Sequence, residues 1–152
     1  MEKVTKLLEV ALSQVGVEEI PRGSNRGEKV EEYMKATGTI PPAAWCGCFT
    51  AWCFQEAGYQ LNKPWLLAAA RNWFKDSAKL VKDKKDIRPG DVFGIHNASL
   101  GRIAHVGIIE KVENGMLYTI EGNTNDEGSR EGYEVCRRKR SIAKVAAIAR
   151  WT

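Results

Sequence analysis

Two residues of this sequence, a cysteine at the start of a helix and a histidine in a later strand, could together cleave an amide bond. Residues 45–53, Trp-Cys-Gly-Cys-Phe-Thr-Ala-Trp-Cys, follow the loop-forming pair Pro41-Pro42 and begin an apolar helical run. A thiol attacks a carbonyl as a thiolate, and a helix N-terminus and a nearby imidazole both lower its pKa. Cys46 is therefore the candidate nucleophile, and His105 is the candidate base.

A cysteine–histidine pair needs a third group that fixes the histidine tautomer and orients the ring. The next predicted strand ends in the polar segment Glu121-Gly122-Asn123-Thr124. On an antiparallel neighbour of the histidine strand, such a residue can reach the far nitrogen of His105. Glu121 is the first choice and Asn123 the second, and a plain turn of polar residues is the alternative.

The cysteine spacing argues against a metal site. Cys46, Cys48 and Cys53 lie on one helix, so their sulfur atoms do not converge on one point. The same geometry disfavours disulfides, so we expect free thiols, with Cys48, Cys53 and Cys136 acting as small apolar residues. The sequence predicts no metal and no cofactor.

The hydrophobic pattern changes from a helical period to a strand period near Pro89-Gly90-Asp91. This order predicts an α+β fold in which N-terminal helices pack on a C-terminal antiparallel sheet of about five or six strands. Helices are predicted at 4–15, 30–38, 46–57 and 64–74, and strands at 91–95, 103–111, 116–120, 133–137 and 143–151.

The composition is that of a soluble globular domain. The 152 residues are 43% hydrophobic and 28% charged with a net charge of +4, so we expect one domain, a monomer, without a membrane span. This charge is too weak to indicate nucleic acid binding; it suits an anionic polymer such as bacterial cell wall, although a solvated basic surface is an equal interpretation. The N-terminal segment is typical of an amphipathic helix and not of a signal peptide. We therefore expect synthesis in the cytoplasm and action on the wall after release or export by another factor.

Four motifs in order resemble the CHAP domain (cysteine, histidine-dependent amidohydrolase/peptidase). They are Trp45-Cys46-x-x-Phe49-x-x-Trp52-Cys53, Pro89-Gly90-Asp91, Gly101-Arg102-Ile103-Ala104-His105-Val106-Gly107-Ile108 and Thr119-Ile120-Glu121-Gly122-Asn123-Thr124. The resemblance covers nearly the whole chain, which would make residues 1–152 a single CHAP-like catalytic domain.

The resemblance implies a papain-like fold and cleavage of an amide bond in peptidoglycan. The bond would be the N-acetylmuramoyl–L-alanine linkage or one in the stem or cross-bridge peptide. By matching position, Cys46 would be the nucleophile, His105 the general base and Glu121 the orienting residue. Asn123 would be an auxiliary polar partner.

The sequence departs from the family pattern at two places. Many members have Gln before the nucleophile, where this chain has Trp45, which we expect to form a wall of the cleft. Some relatives hold calcium in an acidic loop before the cysteine, but residues 38–44 contain no carboxylate. Asn25 and Trp73 are further candidates to line the substrate groove.

Two other functions are compatible with the sequence. A papain-like deamidase or transacylase that acts on a protein would use the same cysteine, histidine and glutamate. A non-catalytic module that binds wall fragments would retain Cys46 without using it. The reactivity of Cys46 toward an alkylating reagent near pH 6 separates such a module from an enzyme.

Overall fold

The structure is a computed structural model and describes residues 2–124 and 132–152. Over these residues, helices come first and an antiparallel sheet follows, which confirms the predicted α+β class. The elements are α1 (Glu2–Ser13), α2 (Glu28–Lys35), α3 (Cys46–Glu56), β1 (Val92–Asn97), β2 (Arg102–Glu113), β3 (Met116–Thr124), β4 (Glu134–Ser141) and β5 (Ala147–Ala149).

The strands pair in the order β4-β3-β2-β1-β5, and every neighbouring pair is antiparallel. The β2–β3 turn consists of Asn114 and Gly115, whose φ angles are 52° and 73°. Positive φ at both central residues is what the twist of a two-residue hairpin requires, and Asn-Gly supplies it at low cost. This hairpin places the histidine strand directly beside the glutamate strand.

Both faces of the sheet bury apolar side chains. Val92, Val106 and Ile120 belong to the main core with the almost wholly buried helix α3. Residues of opposite parity, including Phe93 and Ile109, form a second, smaller cluster, because successive strand residues point to opposite faces. The sheet is therefore a layer between two apolar clusters of unequal size.

The helix predicted over 64–74 is wrong. The segment forms two short 3₁₀ helices, Pro64–Ala68 and Ala70–Phe74, separated by the extended residue Ala69. The first one presses against α3: a Cβ atom added to Gly47 would lie 2.2 Å from the Leu67 carbonyl oxygen. Tertiary contact with the start of α3 thus overrides the helical pattern of this alanine-rich stretch.

The Pro-Gly-Asp motif joins the start of the sheet to the end of the chain. The buried Asp91 carboxylate accepts hydrogen bonds from the Arg88 amide at 2.8 Å and from Arg150 Nε and Nη2 at 2.8 and 2.9 Å. The strand predicted over 143–151 is shorter than expected, since a 3₁₀ turn at Ile142–Lys144 precedes β5. In the described ranges, the helices are too short or too polar to span a bilayer.

Candidate active site

Cys46 is the first residue of α3, as its position after Pro41-Pro42 predicted. Trp45 occupies the N-cap position without a capping side-chain hydrogen bond, so amide N–H groups of the first turn are left to face an anion. The side chain of Cys46 reaches β2, where Sγ lies 4.0 Å from the carbonyl oxygen of Ala104. The helix start thereby brings the thiol to the residue that precedes His105.

His105 lies within β2 and is 5% exposed. Its Nε2 atom lies 2.7 Å from Oε1 of Glu121 on β3. The buried Nδ1 atom forms no hydrogen bond of good geometry to any described residue, so it is the nitrogen left for the Cys46 thiol. The imidazole therefore stands between a thiol and a carboxylate.

Cys46 and His105 shift each other's pKa in the directions that favour an ion pair. Burial raises the pKa of the Cys46 thiol, but the hydrogen bond and charge of His105 and the Val106 and Gly47 backbone together bring it below its ordinary value. Burial lowers the pKa of His105, but its hydrogen bonds and charge interactions with Cys46 and Glu121 raise it to about 9. The two shifts reinforce each other, so a Cys46 thiolate and a His105 imidazolium are favoured together and neither pKa can be assigned to one residue alone.

Four hydrogen bonds hold Glu121, which is fully buried. Besides the contact with His105, Thr119 Oγ1 donates to Oε2 at 2.5 Å. Arg140 on β4 donates from Nε to Oε2 and from Nη2 to Oε1, each at 2.6 Å. Burial raises the pKa of the Glu121 carboxyl, yet Arg140 and His105 hold it well below its usual range. Glu121 is thus a buried anion at every working pH.

Sequence reasoning missed Arg140. It lies in the run Arg137-Arg138-Lys139-Arg140, which is typical of a solvated basic strand. The β3–β4 register, which pairs Leu117 with Arg140 and Thr119 with Arg138, brings the guanidinium to Glu121. No local pattern encodes that register, so only the strand pairing could have revealed this contact.

A glycine leaves room for the buried carboxylate. A Cβ atom on Gly107 would lie 2.7 Å from Phe93 Cε1 and 2.8 Å from Glu121 Cγ. The Phe93 ring lies edge-on to the His105 ring, with 6.3 Å between centroids, and the Arg140 guanidinium lies 5.6 Å from the Phe93 ring centroid. The Phe93 ring on β1 therefore packs against both His105 and Arg140.

The prediction that Trp45 and Trp73 line the groove is wrong, because both side chains are fully buried. Trp45 Nε1 donates to the buried carboxylate of Glu19 at 2.7 Å. Trp73 Nε1 donates to the Leu67 carbonyl at 2.9 Å. Each indole donates to a partner in the interior, and both residues belong to the main core.

Asn25 and Asn123 differ in their surroundings, and their roles stay predictions. Asn25 is a half-buried loop residue with φ of 54°; Glu19 links this loop to Trp45 because it also accepts a hydrogen bond from the Gly23 amide. Asn123 is buried at an irregularity of β3, with φ of 59°. The strand predicted to stop at residue 120 thus continues through Glu121 to Thr124.

The other cysteines are buried, and Cys48 and Cys53 differ from Cys46 in their electrostatics. All four cysteines are free thiols. Burial raises the pKa of Cys48, and it raises that of Cys53 well above the ordinary value. In the part of the chain that the structure describes, no group of three His, Cys, Asp or Glu side chains is arranged to hold a metal ion.

The sequence matches a known family over the region that carries this geometry. The CHAP domain model matches residues 38–123, which include Cys46, His105 and Glu121. This match covers more than half of the 152 residues. The chain belongs to the CHAP domain family. Arg140 lies beyond the matched region, so the CHAP match does not account for it.

Solved structures confirm the papain-like architecture of this CHAP chain. Ly7917 superposes with a TM-score of 0.55 at 18% identity, over 97% of this chain and 62% of its own. An NLP/P60-family protein similar to a lipoprotein, from Staphylococcus aureus, gives 0.52 at 15%, over 98% and 41%. NlpC2 from Trichomonas vaginalis gives 0.52 at 15%, over 99% and 46%. The chain spans less than two thirds of each of these proteins, and no curated protein matches it.

Proposed function

We propose that this CHAP protein is a peptidoglycan hydrolase that cleaves an amide bond by cysteine catalysis. The observation that carries the proposal is the chain of contacts from the helix-start thiol of Cys46 through His105 to Glu121. Family membership supports the substrate class. The lowered pKa of Cys46 favours an enzyme over a binding module that keeps an inert cysteine.

In the first half of the proposed reaction, the Cys46 thiolate attacks the carbonyl carbon of the scissile amide. The carbonyl oxygen becomes an oxyanion, and the Cys46 backbone N–H at the start of α3 is oriented to donate to it. His105 then gives its proton to the leaving nitrogen, the C–N bond breaks, and a free amine departs. A thioester on Cys46 remains.

In the second half, neutral His105 removes a proton from water as the water attacks the thioester carbonyl. The C–S bond breaks, a carboxylic acid is released, and the thiolate–imidazolium pair is restored. Glu121 serves both halves because its carboxylate holds Nε2 at 2.7 Å and stabilises the imidazolium each time it forms.

Trp65 is the aromatic residue that we propose for the groove in place of the two buried indoles. It is 62% exposed and lies two residues before Leu67, whose carbonyl packs on the first turn of the Cys46 helix. An exposed indole on the segment that packs against the start of α3 offers a flat apolar platform for a sugar ring or a stem-peptide side chain. The sequence pattern had placed Trp65 on a helix with core residues.

Substitution of Trp65 tests this platform. We expect Trp65→Ala to raise KM for peptidoglycan fragments by about 5- to 10-fold with little change in kcat, the loss of one aromatic contact. Trp65→Phe should keep most of the binding, and Val112→Ala, at an exposed site near the far end of β2, should change nothing. An unchanged KM in Trp65→Ala would remove this residue from the groove.

Digestion of purified peptidoglycan tests the function itself. We expect new primary amines without new reducing sugar ends, because an amide and not a glycosidic bond is cut. Mass spectrometry of the fragments then distinguishes the N-acetylmuramoyl–L-alanine linkage from a bond in the stem or cross-bridge. Intact peptidoglycan, together with fast alkylation of Cys46 near pH 6, would contradict the substrate and favour a protein deamidase or transacylase.

The place of action follows from the same proposal. We propose that this catalytic domain acts on the cell wall as a monomer. The net charge of +4 favours approach to an anionic wall polymer. Salt should therefore slow wall digestion more than it slows the cleavage of a small neutral fragment.

A further inference from the structure

Arg140 forms a bidentate salt bridge with Glu121, the buried carboxylate of the Cys46–His105–Glu121 chain. Nε and Nη2 each lie 2.6 Å from a different oxygen of Glu121. The Arg140 side chain is only 17% exposed, and the Glu121 side chain is 0% exposed. A planar guanidinium bound through two parallel N–H donors fixes the plane of a carboxylate, which a single donor cannot do.

We propose that Arg140 is a positioning residue of this active site, one that fixes the Glu121 carboxylate and shares its negative charge with His105. This inference rests on the proposed function, since it concerns the same Cys46–His105–Glu121 chain. It adds β4 as a fourth secondary-structure element to the catalytic chain, whose other residues lie on α3, β2 and β3.

Geometry gives Arg140 its first task. Oε1 accepts from both His105 and Arg140, and Oε2 accepts from both Thr119 and Arg140. With four donors in place, the carboxylate has no freedom to rotate away from Nε2 of His105. The imidazole therefore keeps one orientation through both proton transfers.

Charge gives Arg140 its second task. A buried carboxylate with His105 as its sole cation would bind the imidazolium so strongly that the proton would be hard to release. The guanidinium draws part of that charge away, so His105 can act as an acid toward the amine and then as a base toward water. Arg140 thus moderates the influence of Glu121 on His105.

The groups nearest to His105 come from α3, β1, β3 and β4. Cys46 faces it from α3, Glu121 from β3 and Arg140 behind Glu121 from β4. β1 contributes the uncharged Phe93. Arg138 shares the β4 face of Arg140 by strand alternation, and its carbonyl accepts from Thr119 at 3.4 Å.

Two single variants separate the two tasks. Arg140→Gln removes the charge, so the alkaline limb of the kcat/KM profile should move to higher pH, and the rate should fall by about 10- to 100-fold. Arg140→Lys keeps the charge but loses the bidentate contact with Glu121. The alkaline limb of the kcat/KM profile should therefore stay near that of the wild type, while the rate falls by about 3- to 10-fold. Glu121→Gln should move the same limb the opposite way.

A double variant tests whether Arg140 acts through Glu121. In the Glu121→Gln background, we expect Arg140→Gln to change kcat/KM by less than about 3-fold, because its partner is already lost. Arg137→Gln is the matched control: it breaks a similar pair with Glu110 from the opposite face of β4 and should leave the rate and limb unchanged. Additive losses, or an alkaline limb that Arg140→Gln does not raise, would overturn the proposal.

The same shifts can be measured without peptidoglycan. The rate of Cys46 alkylation by iodoacetamide should show a second step with pH as His105 loses its proton, and Arg140→Gln should raise the pH of that step. This readout stands even if the proposed substrate is wrong. Thermal unfolding monitors the fold; if Arg140→Gln is unfolded, the lysine variant and the double variant, which removes both buried charges, decide the matter.

Discussion

Cys46→Ala is expected to reduce amide hydrolysis by at least about 10⁴-fold while the protein stays folded, because the proposed reaction passes through a covalent intermediate on this thiolate. The side chain is small and sits at a helix start, so alanine leaves little empty space. Release of amines from peptidoglycan measures the rate, and thermal unfolding measures the fold.

Cys48→Ala is the matched control for this prediction. Cys48 lies on the same helix, but its Sγ contacts Thr37 Oγ1 at 3.2 Å and burial raises its pKa. Its loss should leave the catalytic rate close to that of the wild type. Loss of activity in Cys48→Ala, with activity retained in Cys46→Ala, would reverse the assignment of the nucleophile.

Glu121→Gln is expected to slow the enzyme by about 10²-fold or more and to shift its alkaline limit. The active ion pair exists between the lowered pKa of Cys46 and the His105 pKa of about 9. Loss of the anion lowers the His105 pKa, because the imidazolium no longer has an acidic partner. The alkaline limb of kcat/KM should therefore move to lower pH, which a pH–rate profile measures directly.

Glu110→Gln offers a control of the same chemistry, since Glu110 pairs with Arg137 away from the thiol. Neither the rate nor the profile should change in that variant. If the alkaline limb of Glu121→Gln stays in place and activity remains near the wild-type level, Asn123 or water orients His105 instead.

Local chemistry made several features predictable. The start of α3 at Cys46 follows from a proline-rich loop that meets an apolar helical run, and the Asn114-Gly115 turn follows from its φ requirements. The pairing of His105 with Glu121 was accessible because the two lie on strands joined by that turn. Short-range rules therefore bring together the residues proposed as nucleophile, base and orienting carboxylate.

Features that depend on long-range packing were beyond such rules. Trp45 and Trp65 are the same residue type, yet one is fully buried and the other 62% exposed. Trp45 is part of the main core and donates its N–H to Glu19 from a distant loop. Arg140 is a similar case, since it reaches Glu121 only through the register of an edge strand.

Folding also divides four alike thiols into unlike ones. In an unfolded chain Cys46, Cys48, Cys53 and Cys136 would react at similar rates, since none has a fixed neighbour. In the native protein His105 lowers the pKa of Cys46, whereas burial raises that of Cys48 and Cys53. In mild acid, a thiol reagent should therefore label Cys46 before Cys48 and Cys53 in the native protein. A molecule that carries more than one label has lost its fold. The same selectivity means that Cys46 is oxidised to a sulfenic acid before Cys48 and Cys53, so the chemistry that activates this residue also makes it more vulnerable to peroxide than they are.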